Sequence, residues 1–528
     1  MTERKNSLTM SMSPELEKQD VLVPPPTDDK MMEPPSFTME SIKNYCVTRV
    51  TTLIPTKEYV RANKNLLNPI PALREISGKQ WLFILCAFMG WTWDAFDFFT
   101  ISLNVDVLSE ELHKSTTDIT WAITLVLMLR TVGAFIFGYF GDRYGTKWPF
   151  IVNLLLMVII QIGCSFIQTF KQFLGVRALF GIIMGGIYGN ATATALDDCP
   201  ARARGFISGF LQQGYAFGYL LAVIFTRALA DTQKHKWRAV YWFAACVTVI
   251  IAGSRALLPE TNAFLQKKAF QKLQLQAGIV PESFGSKAKK ALKIYWLMTI
   301  YMILLMAGFN FMSHGSQDLF PTFLTQQLGF SKDRSTVTNC VANLGAIVGG
   351  LIIGHFSNFM GRRLSIIICC IGGGALIYPW GFVRNDGINA AVFFLQFFVQ
   401  GAFGVIPAHL SELAHPEFKA FTVGLAYQLG NLASSASSTI ESKLGSQFPI
   451  TNEDGKTIYD YGKVMSIFMG CVFAYNLIMS FVGPENMNIS QEVNDNENDQ
   501  QSGLGSMEKV VQEEIENSSG AKSDKEFK

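Results

Sequence analysis

Polar residues in this chain are gathered into short runs, and the apolar stretches between them are too long for a soluble core. Stretches of about 20 residues, enough to cross a bilayer as a helix, recur near 81–103, 119–140, 148–169, 172–195, 205–229 and 238–258. After a basic interval they resume near 294–323, 336–356, 364–383, 389–411, 420–440 and 463–482. The pattern predicts an all-α membrane protein of twelve transmembrane helices, built as two six-helix bundles over 76–258 and 294–484. Residues 1–75 and the acidic 485–528 read as disordered tails, and 259–293 as a lysine-rich linker. Lys and Arg near span ends favour the cytoplasm, so the linker and both tails are expected there.

Composition agrees with that reading. Only 16% of residues are charged, against about 25% in soluble domains. The net charge of +2 gives no reason to expect a nucleic-acid partner. The nine Cys lie mostly in apolar runs without metal-ligand spacing, so no disulfide framework, metal site or cofactor is expected. Residues 1–50 contain no apolar h-region, so no cleaved signal peptide is expected. There is no Gly-rich loop ending in Lys-Ser/Thr to argue for ATP coupling, and nothing points to an enzyme.

The two halves repeat each other. Gly138-Tyr-Phe-Gly141-Asp142-Arg143-Tyr-Gly145-Thr-Lys147 follows the second span, and Gly354-His-Phe-Ser357-Asn358-Phe-Met-Gly361-Arg362-Arg363 follows the eighth. The offset, 358 − 142, is 216, and Pro200 and Pro416 are separated by the same interval. A duplicated bundle places a transport site between the halves near mid-membrane. In the second copy Asn358 and Phe359 replace Asp142 and Arg143, so that copy is expected to have lost the gating role of the first.

Gly138–Lys147 resembles the loop motif of the major facilitator superfamily, Arg177-Ala-Leu-Phe-Gly181 its fourth-helix motif, and Pro259-Glu260-Thr261 its mark after the sixth helix. The resemblance covers roughly residues 80–482. Within it, Asn310-Phe-Met-Ser313-His314-Gly-Ser316-Gln317-Asp318-Leu-Phe-Pro-Thr322 resembles the N-x-x-[ST]-H-x-[ST]-Q-D-x-x-x-T signature of the fungal Jen-type carboxylate permeases, with every specified position present. That family implies proton-coupled uptake of lactate, pyruvate, malate or succinate across the plasma membrane.

The candidate chemistry sits inside the spans, where ionisable groups are costly and are usually kept for function. At 100° per residue, Asn310, Ser313, His314, Gln317 and Asp318 share one face of the seventh span, either a substrate and proton pathway or an interhelical seam. His314 and Asp318, one turn apart, suit proton handling, although His314 could equally be a neutral donor to substrate. Asp94 and Asp97 share a face of the first span and should not both ionise, which suits a proton carrier; the alternative is pairing with an Arg. The repeat sets Asp94 opposite Asn310.

Arg130, deep in the second span, is the first choice as carboxylate anchor because its planar fork binds an anion bidentately; the alternative is a permanent pair with Asp94 or Asp97. Gln428 and Asn431 share an arc with Ser435 and Ser438, and Gln212 shares one with Tyr215 and Tyr219; the amides among them could orient substrate. Ser434, Ser437 and Thr439 read as close-packing residues. Asp142, Arg143 and Arg177 are gating candidates, with topology or structural pairing as the alternatives.

The leading reading is therefore a monomeric carboxylate:proton symporter whose partners are its substrate, protons and the bilayer. A sugar or polyol facilitator of the same superfamily and a non-transporting nutrient sensor are the rivals. Gln212 and Gln213 would supply the extra donors that a dicarboxylate favours.

Overall fold

Each apolar run becomes a helix whose ends are set by local chemistry. Ser77 with Gln80 opens the first span, Gly78–Leu103, through a capping box, and Thr169 with Gln172 opens the fourth in the same way. The second and eighth spans stop at Gly145 (φ +92°) and Gly361 (φ +94°), left-handed positions that favour glycine and lie 216 residues apart. The duplication is therefore present in the backbone itself.

The computed structural model describes residues 37–57, 61, 64–114, 116–230, 234–235, 237–265, 268, 284–415, 418–445, 447–451 and 457–486. The expected tails over 1–36 and 487–528, the centre of the linker, and Pro416 lie outside the described residues. Among those described, 11 helices are long and apolar enough to cross a membrane. The remaining place, expected near 420–440, is taken by Lys419–Ser434 and Ser437–Gly445, separated by a turn at Ser435 and Ala436. This eleventh span is interrupted and more polar than the others. The fourth breaks at Gly186 and the fifth at Gln213. A short antiparallel hairpin, Pro449–Thr451 with Thr457–Tyr459, precedes the twelfth, Tyr461–Val482.

Small residues let the helices approach backbone to backbone. A Cβ on Gly133 would strike the Ile182 carbonyl and one on Gly185 the Arg130 carbonyl, which locks the second span to the fourth at the level of Arg130. Gly349, 216 residues after Gly133, meets the Phe397 carbonyl in the same way. Across the halves, a Cβ on Gly138 would lie 2.9 Å from the Phe421 Cα, and one on Gly354 2.8 Å from the Gly209 Cα. Outward-facing Ile159, Ile250, Ile371 and Ile478 are exposed, as suits side chains facing lipid.

Residues 1–75 were expected to be unstructured throughout, and part of that segment is not. Met39–Thr51 forms a helix capped by Thr38, and Pro69–Arg74 another capped by Asn68. Tyr45 donates to the Val482 carbonyl, Arg49 to that of Gly483, and Arg363 to that of Arg49. The chain before the first span thus reaches the end of the twelfth, near Glu485. Burial pushes the Glu485 carboxyl above its ordinary range, opposed by the N–H groups of Arg363 and Arg362 that it accepts.

Candidate functional site

Between the halves lies a small polar pocket. The first half lines it with Arg130 of the second span and Gln212 and Tyr215 of the fifth. The second half contributes Asn310, Ser313 and His314 of the seventh, Gln400 and Phe403 of the tenth, and Tyr427 and Asn431 of the eleventh. The wall combines one guanidinium and one imidazole with amides, hydroxyls and an aromatic ring. It is a wall of hydrogen-bond donors, suited to a small anion.

Arg130 is only 1% exposed, yet no carboxylate among the described residues pairs with it. Its guanidinium carbon lies 4.9 Å from the Phe98 ring centroid, one Nη meets the Met184 sulfur, and Nε has no hydrogen-bond partner. Asp94 is fully buried within electrostatic reach, but both its oxygens are without hydrogen bonds. Asp97 is committed elsewhere: its Oδ1 accepts from Arg177 at 2.9 Å with both side chains enclosed. The two acids of the first span therefore have different surroundings, although they share a helix face. Asn310 lines the cavity and its repeat counterpart Asp94 is not part of that lining.

In the seventh span, His314 Nδ1 lies 3.1 Å from the nearer Asp318 oxygen. Asn310 donates to the Tyr427 carbonyl at 3.3 Å, and Gln400 donates to Ser313 Oγ at 3.4 Å. Gln317, placed on this face by the helical wheel, turns away and donates to Gln396 Oε1 at 3.1 Å. Asp318 lies one turn beyond the lining with about a third of its side chain exposed. Gln428 is enclosed behind the wall and accepts from Asn431 at 2.9 Å. Gln213 faces the other half through the Gln400 carbonyl and not the cavity. Ser435 sits at the helix break and does not continue the Gln428–Asn431 arc. Gln400, Phe403 and Tyr427 were not anticipated; only Gln396 and Gln400, four residues apart in an apolar run, carried a readable signal.

One end of the inter-half seam is tied shut, the end that carries the linker. Asp142 accepts from the backbone N–H groups of Ala420 at 3.1 Å and Phe421 at 2.8 Å, at the start of the eleventh span. Lys419 donates to Asp197 at 3.4 Å. Ser208 of the fifth span donates to the Gly404 carbonyl and accepts from Ala408 N, so its hydroxyl enters the tenth helix where Pro407 interrupts the ladder. Arg143 stays on its own helix, against Tyr139 and Tyr144, and does not cross. The second copy keeps a cross-half contact despite its lost charges: Asn358 donates to the Arg202 carbonyl at 2.8 Å.

Sequence comparison agrees with this architecture. Residues 80–438 match the family model described as Major Facilitator Superfamily. A carboxylic acid transporter protein homolog of Saccharomyces cerevisiae is 40% identical over 465 residues, covering 85% of this chain and 75% of the relative. The chain belongs to the major facilitator superfamily. A cis,cis-muconate transport protein of Acinetobacter baylyi is 24% identical over 364 residues, 68% of this chain and 86% of the relative. The fold is shared with the proton:xylose symporter XylE of E. coli, at a TM-score of 0.62 and 16% identity over 78% of this chain and 97% of that one. As a major facilitator chain this is a multi-pass membrane transporter and not an enzyme. Within the superfamily fold, Glu260 of the Pro-Glu-Thr mark joins the sixth span to the third, accepting from Lys147 N at 3.0 Å and Thr146 Oγ1 at 3.2 Å.

Proposed function

We propose that this transporter imports short-chain carboxylates of the lactate, pyruvate, malate and succinate class together with protons, by alternating access across the plasma membrane. In this reading the linker and both termini are cytoplasmic, and the linker-end ties make this the outward-facing conformation. The observation that carries the proposal is Arg130, a buried guanidinium on the cavity wall whose closest partners are a ring and a sulfur. An enclosed fork with unused donors suits a carboxylate.

A carboxylate on Arg130 would be gripped by the first half while its far end meets Asn310, Gln400 and Asn431 of the second. Binding then couples the halves. The His314–Asp318 pair is placed to carry a proton beside the bound anion, so that a monoanion crosses as a neutral load. The test is uptake of labelled lactate and succinate into cells lacking their own permeases, with and without a protonophore. Protonophore-sensitive uptake that disappears in Arg130→Ala is expected. Uptake of a neutral sugar instead, or carboxylate uptake indifferent to the protonophore, would retire the proposal.

A further inference from the structure

The His314–Asp318 pair has an unassigned neighbour. Glu441 lies in Ser437–Gly445, the helix after the break in the eleventh span, on the side of the cavity away from the linker. Its side chain is fully enclosed, and neither carboxylate oxygen has a hydrogen-bond partner among the described residues. An isolated ion enclosed in this way is expensive, which favours the neutral acid. Its helix packs against the seventh span, which leads into Asp318.

Other titratable groups near this end are engaged elsewhere. In the twelfth span and its cap, Asp460 accepts from Gln327 at 2.8 Å and Lys463 Nζ lies over the Phe448 ring. Tyr219 of the fifth span is within electrostatic reach of Asp318. His314 lies on the cavity wall and Asp318 one turn farther along the seventh span, whose helix packs against the helix that carries Glu441.

We propose that Glu441 is a proton-carrying site of the symporter, the member contributed by the eleventh span to a three-group relay with Asp318 that ends at His314 on the cavity wall. This rests on the symport reading given above. The relay starts with Glu441 as the neutral acid, which hydronium re-forms after each transfer, becoming water. The proton then passes by way of Asp318 to His314, leaving Glu441 ionised and His314 an imidazolium, with the total charge of the three groups unchanged. The bond broken is the Glu441 O–H and the bond formed is the His314 N–H. The group is enclosed and unpartnered because a permanent partner would hold it in one state.

The test uses the full-length protein in proteoliposomes, comparing wild type, Glu441→Gln and Glu441→Asp for labelled lactate exchange and for accumulation driven by an imposed pH gradient. One coupled proton allows about tenfold accumulation per pH unit. Glu441→Gln, which mimics the neutral acid, is expected to fold and exchange like wild type while its accumulation ratio falls to about one; Glu441→Asp should keep accumulating. If Glu441→Gln accumulates as wild type does, the relay starts elsewhere and the proposal fails while symport stands. If Glu441→Gln does not fold, or loses exchange and accumulation together, Glu441 is a structural group and the proposal also fails. If wild type itself does not accumulate carboxylate against a gradient, the symport reading falls and this inference with it.

Discussion

Asp142→Asn should open the linker end. In this conformation the Asp142 carboxylate accepts two backbone N–H groups at the first turn of the eleventh span, belonging to Ala420 and Phe421. Asp142 is in one half and these donors are in the other, so the bonds break when the halves part at this end. A hydrogen bond to a charged group contributes about 1.5–3 kcal/mol, and an anion at a helix N-terminus a further ~0.3–1. Asparagine keeps one acceptor, loses the charge and turns an amide N–H₂ toward a donor, which removes at least one charge-assisted bond. A loss of about 1.5–3 kcal/mol shifts the closed-to-open ratio by about 10- to 150-fold. The assay is alkylation, from the linker side, of a cysteine introduced by Ser208→Cys in a chain whose nine native cysteines have been replaced. Ser208 is fully buried between the halves and becomes reachable only when they separate. The rate should rise at least tenfold on adding Asp142→Asn. An unchanged rate would mean that the two bonds do not hold the gate, and the reasoning would be wrong.

The other predictions concern the buried charges. Arg130→Ala should abolish carboxylate binding and Arg130→Lys should restore little, because an ammonium cannot reproduce the fork. Both should fold, with a loss of thermal stability that adding Asp94→Asn recovers, because Asp94 is buried within reach of Arg130; a variant that does not fold would show that Arg130 is structural. Arg177→Gln alone should cost about 3–5 kcal/mol by stranding Asp97 in the interior, and adding Asp97→Asn should recover most of it; thermal melts of both singles and the double decide, and additive losses would contradict the pairing. His314→Ala and Asp318→Asn should weaken pH-driven accumulation more than exchange of labelled for unlabelled substrate. Parallel loss of both activities would leave these residues only a binding or folding role.

How far the sequence reaches depends on whether a property is local. Span positions were legible because apolar length is local, and the duplication because Gly145 and Gly361 must each end a helix in the same strained conformation. Arg130, Asn310, Ser313 and His314 could be found because a polar face in an apolar run has few places to go. The helical wheel misplaced Gln317 because it gives the angle around an axis and not the depth along it: Gln317 shares the angle of Asn310 but lies beyond the cavity, beside Gln396. It also grouped Asp94 with Asp97, when the position of Arg177 on a neighbouring helix separates them. Asn358 was discounted for its missing charge, yet an amide suffices to hold a backbone carbonyl. Gln400, Phe403 and Tyr427 face the cavity through the packing of helices far apart in sequence, which no local pattern records. The docking of Met39–Thr51 depends in the same way on its meeting Arg363 and Gly483, more than 300 residues later.

The central claim is that a proton and a carboxylate share the cavity at Arg130. Purified protein in sealed liposomes, given an inward pH gradient and labelled lactate or succinate, measures it most directly. The account predicts accumulation that scales with the gradient, collapses on adding a protonophore and is absent in Arg130→Ala, while the variant remains folded. Accumulation that persists in Arg130→Ala, or carboxylate movement that only equilibrates whatever the gradient, would contradict it.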